Sequence, residues 1–76
     1  MIRVTRSSTD IAYIELTGGH IGYSEGLVVT LPSGQIQLLA LDFGTDDRLI
    51  GIELQGASVG LPDELEAGEY RLTHKE

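Results

Sequence analysis

The chain has 76 residues and no cysteine, with twelve Asp and Glu against five Lys and Arg, a formal net charge of -7 at pH 7. This length holds one small domain, 1–76, and the missing cysteines exclude disulfides, thiolate zinc sites and a cysteine nucleophile. The acidic balance argues against nucleic acid, whose phosphates are bound through Lys and Arg. No apolar run approaches the ~20 residues of a membrane helix or forms a signal-peptide core, so a cytoplasmic protein without membrane contact is expected. A domain this short hides only about 60% of its unfolded surface, which leaves self-association as the expected source of added stability.

In chain order, "IRVTR" sets Ile2 and Val4 against Arg3 and Thr5 and predicts a first strand, turned by residues 7–9 into "DIAYIELT". There Ala12, Ile14 and Leu16 share one face, while Ile11, Tyr13, Glu15 and Thr17 share the other. "GGHIG", with Gly18, Gly19 and Gly22, has no such period and predicts a loop. "GLVVTL" (26–31) is an apolar, β-branched strand ended by Pro32-Ser33-Gly34, whose Pro and Gly suit a type I turn starting at Leu31. "IQLLALDF" (36–43) is the return strand, and "GTDD" (44–47) leads tightly into "RLIGIELQ", completing a meander. Then "LPDELEAG" (61–68) predicts a helix of about two turns, with Pro62 at its start, Asp63, Glu64 and Glu66 near its positive end, and Gly68 as its stop. Residues 69–76 either add a strand through Tyr70 and Leu72 or fray. The expected fold is mainly β (α+β): an antiparallel sheet of about five strands with one short C-terminal helix.

The 36–43 strand is apolar on both faces, with Ile36, Leu38 and Ala40 on one side and Leu39, Leu41 and Phe43 on the other. Strands of this kind are buried on both sides. One short helix cannot cover a sheet, so the expectation is a homodimer contacting through Leu39, Leu41 and Phe43, with a small closed barrel as the alternative.

Motif-like matches fail on context. Asp42-Phe43-Gly44 spells the kinase magnesium tripeptide in a chain too short for a kinase, and "TGGHIG" lacks a dinucleotide glycine spacing. Asp42, Asp46 and Asp47 lack the alternating ligands of a calcium loop, His20 and His74 have no neighbouring ligand, and no serine sits in a nucleophile elbow. The residues therefore predict no enzyme, no metal and no cofactor. An acidic surface either serves solubility alone or favours a basic protein partner through steering.

Two blocks, "STDIAYIEL" and "LDFGTDDRLIGIELQGAS", carry a resemblance. The chain resembles the small bacterial and archaeal family called domain of unknown function 2283. Asp10, Tyr13, Ile14, Leu16, Asp42, Phe43, Arg48, Gly51, Ile52, Glu53, Ala57 and Ser58 match its pattern. Asp47 stands where that family usually has the turn glycine, and Ala12 where a larger aliphatic residue is common. The resemblance leaves activity open; some members look like companions of small toxin-like proteins, which implies a partner protein.

Gly51 weakens a strand unless something fills the hollow above it. Tyr13 is the expected occupant, because an aromatic laid over a strand glycine regains buried surface. Glu53, beside that hollow, is expected to bond Tyr13, an arginine or water. Tyr13, Asp42 and Glu53 together form the alternative functional reading, a carboxylate and tyrosine site for a small ligand or metal.

Overall fold

The computed structural model describes residues 1–71 as six strands and one short helix. In chain order these are β1 (Ile2–Arg6), β2 (Ile11–Glu15), β3 (Ile21–Thr30), β4 (Ile36–Gly44), β5 (Leu49–Gln55), α1 (Ala57–Gly60) and β6 (Gly68–Tyr70). Every pairing is antiparallel, and the strand order is β3-β4-β5-β2-β1-β6. The fold is mainly β with one short C-terminal helix, as the residue pattern predicts, and carries one strand more than the five expected. β3 and β6 end the order, so the sheet of the described residues is open and the barrel alternative is not realised. The two blocks of the family resemblance meet as neighbours, since β2 pairs with β5.

Both hairpin turns of the meander use one geometry. Gly34 N–H donates to Leu31 O (2.8 Å) and Leu31 N–H to Gln35 O (2.8 Å), while Asp47 N–H donates to Gly44 O (3.1 Å) and Gly44 N–H to Arg48 O (2.8 Å). Each is a three-residue loop whose last residue is left-handed, Gly34 at φ 92° and Asp47 at φ 67°. The expected turn at Leu31 forms, and Asp47 adopts the conformation for which glycine is favoured.

Two expectations are corrected and one open alternative is resolved. The helix lies at Ala57–Gly60 rather than over 61–68. Its start is set from a distance: Asp10 O accepts Gly56 and Ala57 N–H, and the Asp10 carboxylate accepts Ser58 N–H (2.9 Å) and Ser58 Oγ–H (2.7 Å). Its end is set by Pro62, which forces the preceding residue into an extended conformation, and Leu61 has φ -114°, ψ 146°. Beyond Pro62 the carbonyls of Pro62 and Leu65 accept the Arg6 guanidinium at 3.1 and 2.7 Å, which favours turns over a helix. Second, the 18–22 loop is shorter than expected, because Ile21 and Gly22 already belong to β3. A Cβ on Gly22 would come within 3.1 Å of the Thr45 backbone, so this glycine serves close packing. The resolved alternative is that of the tail: Tyr70 lies in a strand, β6; Leu72 and His74 lie outside the described residues.

Paired residues point to the same side, so the register sorts the sheet into two faces. On one face run the rows Val4, Ile14, Ile52, Leu41 and Ala12, Leu54, Leu39, Leu27. The core sits there, where Ala12, Leu54 and Ala57 cluster with Leu39 and Leu61 against them. On the other face one polar row crosses all six strands: Glu69, Arg3, Glu15, Gly51, Asp42, Ser24.

Candidate functional site

The polar row is organised around Gly51. Tyr13 stands on β2 opposite Glu53, and its ring lies diagonally over Gly51, where a Cβ would collide with the phenol oxygen. Because β5 has no side chain at that point, Tyr13 reaches across it to β4. Its hydroxyl donates to Asp42 Oδ2 at 2.8 Å, and Ser24 of β3 donates to Asp42 Oδ1 at 2.6 Å. The aromatic-over-glycine arrangement is the one expected, but the tyrosine hydroxyl goes to Asp42, a partner that spacing alone does not single out. The register supplies it, since Asp42 is the residue opposite Gly51.

Asp42 is only 7% exposed, and a buried carboxylate needs its lone pairs occupied. Here each oxygen has a protein donor. Burial first, and then the Asp42 carboxylate to which it donates, push the Tyr13 phenol up to about 12. A phenol held protonated that far above neutrality, bonded to a carboxylate already occupied on both oxygens, ties β2, β4 and β3 together. A ligand at Tyr13, Asp42 and Glu53 would have to displace Tyr13 or Ser24 to reach the carboxylate. Farther along the row, Arg3 reaches Glu69 at 2.8 Å and Glu15 at 3.6 Å, both exposed contacts of modest strength.

Asp42, Asp46 and Asp47 do not converge. Asp42 is buried in the sheet, whereas Asp46 and Asp47 stand in the exposed β4–β5 turn, where Asp46 accepts Arg48 N–H at 3.2 Å. Among the described residues no group of three or more His, Asp or Glu is arranged to hold a metal ion. His20 lines an open cleft of about 370 Å³ with Thr17, Gly19, Thr45 and Arg48, a grouping with no signature in sequence spacing.

The apolar residues are unevenly covered. Val4, Ala12, Ile50, Leu54 and Ala57 are buried, whereas Leu39, Leu41 and Phe43 are half-buried on the core face. Every residue of β3 is exposed, including Val28 at 70% and Tyr23 at 60%, and Ile36 beside it on β4 is 66% exposed. Tyr23 leans on Phe43 with ring centroids 6.3 Å apart and bonds the Glu25 carboxylate. The sequence marks β4 as apolar on both sides, but only the strand order shows that β3 is an edge. Among the described residues no helix is long and apolar enough to cross a membrane. No protein-family model, curated protein or solved structure matches the chain.

Proposed function

We propose that this chain is a noncatalytic, cytoplasmic interaction module that works as a homodimer through the apolar face of Leu39, Leu41 and Phe43 and offers an acidic surface to a small basic protein partner. Membership in the domain of unknown function 2283 family belongs to the same proposal, resting on the two matching blocks that pair as β2 and β5. The observation that carries the dimer is the thin core: among the described residues the largest fully buried side chain is Val4, and a four-residue helix stands over a six-stranded sheet. A second copy would supply the cover that α1 does not. The net charge of -7 supports a basic partner, drawn in by a field that salt screens.

Sedimentation equilibrium tests the dimer. The unmodified protein is expected at twice the chain mass at high micromolar concentration. Leu41→Lys, which would strand an unpaired charge at the centre of the contact, lowers both the apparent mass and the melting temperature. An unmodified protein that sediments as a monomer refutes the homodimer. Recovery of no partner from low-salt co-purification would refute the heteromeric part.

A further inference from the structure

β3 is a sheet edge ten residues long, exposed throughout, with Glu25 as its single charge and no Pro or Lys to blunt it. Its free backbone groups follow from the hairpin. Leu31 N–H points inward to Gln35 O, and direction alternates along a strand, so the N–H and C=O groups of Ser24, Gly26, Val28 and Thr30 point away from β4. These groups need water or another strand as partner.

We propose that a second copy of this chain pairs antiparallel along β3, with the two-fold axis at Leu27, joining the two sheets into one. This rests on the homodimer reading but places the contact along the β3 edge instead of on the Leu39, Leu41 and Phe43 face. The axis position follows from charge and shape. An axis at Glu25 sets that carboxylate opposite its own copy, which is destabilising. One at Gly26 pairs two glycines and draws in Gly22, already held at the Thr45 backbone and beside the irregularity between Ile21 and Tyr23. One at Val28 leaves Ser24 opposite Pro32, which has no N–H.

With Leu27 on the axis, Ser24 pairs with Thr30 and Gly26 with Val28 in both directions, so every outward-pointing group from 24 to 30 is used. That makes about eight hydrogen bonds, within the ~10 ± 5 of a typical protein interface. Each Val28 then lies over the open space beside the partner's Gly26, and Glu25 falls opposite Val29 instead of a like charge. A partner carrying the same net charge of -7 can approach here because this edge is nearly uncharged. The apolar faces of both copies come to lie on one side of the joined sheet, with Leu39, Leu41 and Phe43 of each one strand in from the seam.

The absence of native cysteine makes the register readable by cross-linking. Two Leu27→Cys residues would face each other in a non-hydrogen-bonded pair with Cα atoms ~4.5 Å apart, within disulfide range. Two Val29→Cys residues would be offset by four positions, ~13 Å, and out of range. Under mild oxidation Leu27→Cys is expected to form a covalent dimer and Val29→Cys to remain a single chain. Val28→Pro, which removes an outward N–H and leaves the β3–β4 ladder intact, is expected to keep its circular dichroism and halve the sedimenting mass. If Val28→Pro fails to fold, the cysteine pair decides alone. An unmodified monomer overturns this proposal and the homodimer together. An unmodified dimer in which Leu27→Cys does not cross-link, or Val29→Cys cross-links as fast, overturns the β3 register and leaves the Leu41 face as the contact.

Discussion

The two ends of the sheet are opposites. At one end β6 is three residues long, and its neighbour β1 lies under the 61–68 segment that Arg6 grips through the Pro62 and Leu65 carbonyls. Arg3 and Glu69 add a charged pair there. At the other end β3 is ten residues long, carries Glu25 as its single charge and is covered by nothing among the described residues. Short, charged edges resist pairing with another chain, and long apolar ones invite it. The contrast shows that the fold protects one edge and leaves the other available.

The covered half should break hardest at its centre. Leu54 is 6% exposed and touches the cluster formed with Ala12 and Ala57, so Leu54→Ala is expected to cost about 2–5 kcal/mol in urea unfolding. Val28→Ala on the open edge, measured in dilute solution where the chain is a monomer, should stay within ~0.5 kcal/mol. Similar losses from both would erase the distinction between the halves.

The link between them is the Tyr13–Asp42–Ser24 chain. Gly51→Ala places a methyl group where the Tyr13 hydroxyl now lies, expels the ring and leaves the buried Asp42 short of a donor. A loss of roughly 1–3 kcal/mol is expected. Tyr13→Phe should give a smaller loss, since the ring remains over Gly51 and only the hydrogen bond goes.

The same link predicts a pH dependence. The folded phenol sits at about 12, above its unfolded value near 10, so its contribution is fully present below pH 10 and is lost as pH rises from 10 to 12. Melting temperature followed through that window should fall more steeply for the unmodified protein than for Tyr13→Phe. Parallel curves would show that Tyr13 is not held by Asp42.

The smallest effect should come from the β4–β5 turn. Asp47 takes the left-handed conformation that Gly34 takes in the β3–β4 turn. Relief of left-handed strain of ~1–2 kcal/mol, set against ~0.4–1 kcal/mol of extra chain entropy for glycine, leaves Asp47→Gly more stable by about 0.5 kcal/mol in thermal melts.

Much of the fold was legible because strands announce themselves by period two and hairpins by Pro and Gly. The turn at Leu31, the meander and the Tyr13 ring over Gly51 all follow from residues close in sequence or from a vacancy that needs filling. The helix was misplaced because its start is capped by Asp10, 48 residues upstream, a contact no local pattern encodes. Pro62 is ambiguous in sequence: it suits a helix start, yet here it ends the preceding turn by holding Leu61 extended.

By itself the sequence determined the chemistry: no thiol, an acidic surface, alternating strands, and a strand too apolar for one layer of cover. Only the tertiary structure decided which strands lie at the edges, that Asp42 takes the Tyr13 proton donor, and that one polar row crosses the whole sheet. Periodicity is a property of neighbours along the chain, set by the pleat of each strand. Strand order and long-range hydrogen bonds depend on which distant segments bury the most surface together, and that is settled only when all six strands compete for partners at once.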